Sequence, residues 1–229
     1  MKRTLRIWDL PTRLFHWLLV VCITGAVICV NIGGYWMQWH AYFGYAVLSL
    51  VLFRVLWGFI GAIHSRFITF IPSPQRLIAF LTGKEGGGFG HSPLGSLSVI
   101  ALLLVLGIQA GTGLFTDDDI AFQGPLAKYV SNATVSLLGS IHALNSNILF
   151  GLIGLHLLAI AYYQWVKRES IVMPMIQGDK EVDVEREGSG LPAVALLASK
   201  DGAAQRLTAL LSLCVIALLL LYALGIISF

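Results

Sequence analysis

Two histidines, His142 and His156, lie in the apolar run from Gly139 to Trp165, GSIHALNSNILFGLIGLHLLAIAYYQW, which is long enough to cross a bilayer. Ionisable side chains are costly inside a membrane, so such positions point to a function. Fourteen residues separate the two. On a helix that interval returns the second imidazole to within about 40° of the first and carries it about 21 Å along the axis. A single metal ion would want ligands at i and i+4 of one helix. This spacing instead suits two separate large cofactors stacked across a membrane, and haems meet that description.

The elements that would hold them are readable. The chain has 57% hydrophobic and 12% charged residues and a mean hydropathy of +0.80. A soluble domain has about 25% charged residues, so this is an integral membrane protein. Five segments reach spanning length: Leu10 to Ile32, Trp39 to Ile60, Leu94 to Phe115, Ser131 to Val166 and Leu207 to Ile227. The first opens with Asp9 as expected N-cap and Pro11 in the first turn. Its basic start resembles a signal peptide, but the apolar run is too long and lacks a small-residue cleavage site, so it reads as a retained span. Gly33-Gly34 breaks the chain, and Tyr35, Trp36 and Trp39 form an interfacial aromatic belt. Cys22, Cys29 and Cys214 all fall in apolar runs and read as small buried hydrophobes; no CxxCH is present to attach a haem covalently.

Loop charges orient the spans. Lys2, Arg3, Arg6 and Arg13 precede the first; Arg66, Arg76 and Lys84 lie between the second and third; Lys167, Arg168, Lys180, Arg186, Lys200 and Arg206 lie between the fourth and fifth. All share one side, whereas the other has Lys128 with Asp117, Asp118 and Asp119. By the positive-inside rule the N-terminus is cytoplasmic and the C-terminus extracytoplasmic. The net charge of +3 is too small to suggest nucleic acid. The loops 63–93, with GKEGGGFG, and 178–190, with DKEVDVEREG, read as lacking a core of their own. No strand precedes GGGFG and no GK[ST] follows it, which excludes a phosphate loop.

This topology sorts four histidines by depth. His16 and His156 share the inner, cytoplasmic level, and His40 and His142 share the outer one. A lone intramembrane His can simply hydrogen-bond a neighbouring helix, but four at matched depths favour a shared role. An iron with two imidazoles has no open position, so such sites transfer electrons rather than transform substrate. Gly44 and Gly139, each about a turn from a histidine, would leave room for a flat porphyrin or permit close helix packing. Arg54, fourteen residues after His40, returns to nearly the same face at the inner level. Arg54 would pair with a haem propionate or snorkel to the interface, and Arg13 raises the same alternatives. His64 and His91 read as ordinary polar loop residues.

The segments RIWDLPTRLFHW, WHAYFGY and FRVLWGFIG, with the two histidines of the fourth span, resemble the bacterial cytochrome b561 and nickel-iron hydrogenase cytochrome b family over roughly residues 6–168. The resemblance implies an all-α membrane four-helix bundle holding two b-type haems, with ligands at His16, His40, His142 and His156, and a fifth transmembrane helix added here. It divides the chain into a bundle (1–168), a charged cytoplasmic loop (169–206) and the fifth helix (207–229). It further implies electron exchange between membrane quinone and a partner: an extracytoplasmic c-type cytochrome, a hydrogenase, or another oxidoreductase. As an enzyme, such a protein is a quinone-linked oxidoreductase or a subunit of one, and a homo-oligomer is compatible with it.

The expected function is therefore transmembrane electron transfer between the quinone pool and an extracytoplasmic redox protein, with Asp117 to Asp119 suited to docking a lysine-rich cytochrome c. A quinone site would need polar groups such as Gln109, Asn145 or Asn147. One alternative is a cytochrome b subunit anchoring a hydrogenase or other oxidoreductase. Another, of a different class, is a histidine-based proton or metal transporter, which the absence of intramembrane carboxylates disfavours.

Overall fold

The computed structural model describes residues 2–84, 90–118, 122–183 and 197–228. Five helices are long and apolar enough to cross a membrane. They are α1 (Leu10–Ile32), α2 (Trp36–Ile60), α5 (Pro93–Gly113), α6 (Asn132–Ala161) and α8 (Ala203–Ala223); α6 continues through a π-helical turn, Tyr162–Val166. Short helices α3 (Phe67–Phe70), α4 (Pro74–Leu81) and α7 (Val172–Gln177) and strands β1 (Lys2–Arg6) and β2 (Asp179–Asp183) complete the described elements that matter here. The protein is an all-α multi-pass membrane protein, and the large apolar side chains exposed along these helices are those a lipid solvent tolerates.

The chain divides into two compact units, each gathering pieces of all five long helices. The first comprises residues 1–14, 54–101 and 154–210. Here β1 pairs antiparallel with β2, Lys2 opposite Asp183 through Arg6 opposite Asp179. Ile7, Trp8 and Val182 are buried together, with Leu5 and Met175 packed on them. Gly178, at φ 96°, ends α7 and accepts from the amides of Ile7 and Trp8 at 2.9 and 3.1 Å. A Cβ at that position would lie 2.7 Å from the Trp8 carbonyl, so the turn requires glycine. The start of the second loop, up to residue 183, therefore shares a core with the N-terminal segment, contrary to the expectation from its polarity. Distant residues complete it: the Ser199 amide and hydroxyl donate to the carbonyls of Arg6 and Ile7 at 2.7 and 2.6 Å. The segments 85–89 and 184–196, which carry most of the GGGFG and EREG motifs, lie outside the described residues.

The start of α1 also differs from expectation. Asp9 is fully buried, and its carboxylate accepts from Thr12 and Ser65 at 2.5 and 2.9 Å and from the Trp57 indole at 2.8 Å. The first helical amide, Leu10, donates instead to Asp201, 191 residues away, at 3.1 Å. Asp201 also takes Arg6 at 2.8 Å and Arg206 at 3.1 Å. Burial raises its pKa, but the Arg206 bond, the Leu10 amide and Arg6 together hold it below the usual carboxylate range.

The second unit comprises residues 15–53, 102–153 and 211–229. Its main core joins Val47 and Val51 of α2, Leu106 of α5 and Leu149 of α6, with Leu19, Cys22 and Ile23 of α1 against them. A second cluster joins Ala41, Tyr45, Leu114 and Leu224, with Leu220 of α8 packed on it. Cys29 is buried as expected, whereas Cys214 is exposed on α8, where lipid rather than protein would face it. After α5 the chain turns back on itself, Asp117 bridging to Gln123. Asp117 and Asp118 are used in that turn, accepting from Gln123 and from the Phe122 amide at 2.7 and 2.9 Å; Asp119 lies outside the described residues.

Candidate functional site

His40 sits in the second turn of α2 and His142 in the first half of α6, and the second unit brings their rings together, with centroids 6.3 Å apart and planes at 80°. An imidazole nitrogen bonds a metal at about 2 Å, so two rings sharing one ion along an axis have centroids roughly 6 Å apart. The tautomers follow from the backbone. His40 Nδ1 lies 2.9 Å from the Ala26 carbonyl of α1, and His142 Nδ1 lies 2.9 Å from the Gln109 carbonyl of α5. A carbonyl only accepts, so each Nδ1 carries the proton and each Nε2 a lone pair; that of His142 accepts from the Gln109 side chain, which would have to swing aside for a metal. Metal-bound histidines are commonly held in this way, and the bond fixes the ring plane as well.

Two further observations fit a flat group at this level. A Cβ added at Gly44 or Gly139 would meet no atom within 4 Å, so no neighbouring helix packs on either glycine. Of the two roles open to these glycines, close helix packing is thereby disfavoured. Gly113 is different, because a Cβ there would come within 3.0 Å of the His142 ring. His142 also belongs to a polar chain that the sequence does not announce: Gln109 Nε2 donates to His142 Nε2 at 3.0 Å, and Asn145 donates to Gln109 Oε1 at 2.7 Å and to the Val105 carbonyl at 3.0 Å. Asn147 stands apart, donating to the Ala143 carbonyl of its own helix at 3.2 Å.

His16 belongs to the second unit, half-buried on α1 with its ring 5.0 Å from Trp17 and edge-on to it. His156 belongs to the first unit, half-buried near the end of α6. Arg54, also in the first unit, is only 2% exposed and so does not snorkel to the interface. Its guanidinium lies over the rings of Phe67 and Phe70, at 5.3 and 5.7 Å, and its Nη1 has no hydrogen-bond partner among the described residues. Burying a cation costs several kcal/mol. Cation–π contacts return only about 0.5–2 kcal/mol, so the arrangement favours an anion beside Nη1. Arg13 is more engaged: it donates to the Ile176 carbonyl at 2.6 Å and lies 3.8 Å from Asp201, leaving a buried Nε without a partner among the described residues.

His64 and His91 are not ordinary loop residues. His64 is buried in the 3₁₀ turn Ile63–Ser65 and donates from Nε2 to the Leu197 carbonyl at 2.9 Å. Burial lowers its pKa, a shift that the Leu197 bond partly opposes. His91 is wedged between Trp8 and Phe70, each ring centroid 4.6 Å away. Its Nδ1 is buried, and its pKa is pushed down to about 3 by burial, then by the positive charges of Arg54 and His64. The only sequence signal for this cluster was the density of aromatic residues around it.

A scan against family models matches residues 7–178 to prokaryotic cytochrome b561. The chain is 24% identical over 218 residues to a protein of Bradyrhizobium diazoefficiens named "Probable Ni/Fe-hydrogenase B-type cytochrome subunit", covering 79% of this chain and 87% of the relative. A protein of the same name from Azotobacter chroococcum mcd 1 is 24% identical over 207 residues, covering 75% and 86%. With three quarters of its length matched by the family model, four histidines on its spanning helices and two of them facing each other, the chain belongs to the prokaryotic cytochrome b561 family of b-type haem electron-transfer proteins.

Proposed function

We propose that the protein carries electrons across the membrane through two b-type haems, one held by His40 and His142 and the other by His16 and His156. The facing pair His40 and His142, each anchored through Nδ1 to a backbone carbonyl, is the observation that carries this reading. When bound, each haem supplies one-electron exchange at iron; the chain's part is to fix the imidazoles, exclude water and compensate the haem's carboxylates. Arg54 and Arg13 are the propionate partners. The N-terminus is cytoplasmic, so the His40–His142 haem is the outer one. Electrons pass between membrane quinone and an extracytoplasmic redox protein.

An optical spectrum with pyridine haemochrome quantification tests this. Two haems per chain are expected; no b haem overturns the reading, and one per chain overturns the pairing. Single His→Ala variants add a finer test, because His16 and His156 should remove the same spectral component and His40 and His142 the other.

A second reading makes the protein the membrane cytochrome of a hydrogenase-like oxidoreductase. The names of the two relatives, both hydrogenase B-type cytochrome subunits matched over most of their length, favour it. Affinity purification from mild detergent should then recover an oxidoreductase with subunits in fixed ratio, whereas recovery of the cytochrome alone would speak for a freely docking partner.

A further inference from the structure

We infer that Arg54 and His91 together form a two-donor clamp for a carboxylate, and that this carboxylate is a propionate of the inner haem. The inference rests on the dihaem reading and adds to it a residue, His91, that lies outside the spanning helices.

Both donors belong to the first unit, and both meet the same ring: the Arg54 guanidinium is 5.7 Å from the Phe70 centroid and the His91 ring 4.6 Å from it. Arg54 Nη1 and His91 Nδ1 are each buried without a hydrogen-bond partner among the described residues. Buried polar nitrogens in native proteins are nearly always satisfied, so two orphans in one cluster call for a partner, and a single acceptor serves both when His91 carries its proton on Nδ1. The nearby carboxylate cannot serve, since Asp9 already accepts from Thr12, Ser65 and Trp57. His64 is likewise committed through Nε2 to Leu197.

An anionic acceptor suits the cluster best. A neutral carbonyl, such as that of a quinone ring, would satisfy the donors but leave Asp9, whose oxygens already serve Thr12, Ser65 and Trp57, as the nearby counter-charge to the guanidinium. Arginine is suited to carboxylate, and the walls of Trp8, Phe67 and Phe70 favour one attached to an apolar body over a free hydrated ion. His156, a proposed ligand of the inner haem, belongs to the same unit.

The test uses the full chain, depleted of haem and reloaded with either haem b or its dimethyl ester, in which both carboxylates are masked. Inner-site occupancy is read from the spectral component that His156→Ala removes. The wild-type inner site should bind the ester about tenfold less tightly than haem b, and Arg54→Gln should bind the two alike. His91→Phe should lose about threefold of the preference and His91→Gln, which keeps a donor, little of it. In redox titration of the loaded protein, Arg54→Gln should make reduction of the inner haem about tenfold less favourable, a shift of about 59 mV downward for a one-electron couple. Equal wild-type binding of haem and ester at the inner site overturns the clamp without any variant having to fold, as does a shift confined to the outer haem. Failure to take up haem at all would overturn the dihaem reading itself.

Discussion

At the scale of single residues, the His40–His142 pair is defined by what surrounds it rather than by the imidazoles alone. The Nδ1 bonds to Ala26 and Gln109 choose the tautomer, and Gly44 and Gly139 leave the adjoining face open. Glycines elsewhere on these helices do the opposite. A Cβ at Gly25 would come within 2.6 Å of the Phe43 ring, so Gly25→Ala should overpack the helix pair and lower stability by about 1–3 kcal/mol, read from thermal unfolding in detergent. Gly44→Leu should leave helix content and the unfolding of the haem-free protein nearly unchanged, yet abolish the spectral component of the haem proposed at His40 and His142. Asn145→Ala removes a buried donor from Gln109 and from the Val105 carbonyl and should cost about 1–2 kcal/mol while displacing the outer haem's absorption. Spacing and loop charge place all four histidines on the spans without reference to tertiary structure, and the structure brings one pair, His40 and His142, together. His64 and His91 were not legible in the sequence, since their burial is created by Leu197, Trp8 and Phe70, which lie far off in sequence or carry no local periodicity.

At the scale of elements, apolar length was a sufficient signal for the five spans. The first matches its expected range, and the others differ at one or both ends by a few residues, as when α2 begins at Trp36 and α8 ends at Ala223. The short elements were hidden for a physical reason: β1 and β2 are charged, five-residue strands with no alternating pattern, and they exist only because each finds the other. Asp201 is the joint of this region. Its folded pKa is depressed, so its contribution to stability is present above the unfolded carboxylate value, about 4, and is lost as pH falls through the lower folded value. Wild-type stability should therefore drop below about pH 4, and Asp201→Asn should flatten that part of the pH profile. At neutral pH the same variant should cost about 1.5–3 kcal/mol, the range for hydrogen bonds to charged groups.

At the scale of the whole molecule, the family model ends at residue 178, before α8, yet Leu220 of that helix and Leu224 just past its end pack with Ala41, Tyr45 and Leu114. In lipid no hydrophobic drive holds α8 there, only packing. Deleting residues 203–229 should accordingly preserve both haem spectra while lowering thermal stability by about 1–2 kcal/mol. Reporter fusions at the C-terminus check the topology: a periplasm-active reporter should respond and a cytoplasm-active one should not. The tie between Leu10 and Asp201 bears on biogenesis as well. A ribosome adding about 5–20 residues per second needs roughly ten to forty seconds to traverse the 191 positions between them. For that interval the first span must sit in the membrane with its leading amide hydrated and β1 without its partner strand. Three more spans, α2, α5 and α6, are made before the amino-terminal segment can lock, so a stalled or truncated chain ending before Asp201 should remain sensitive to protease at its N-terminus.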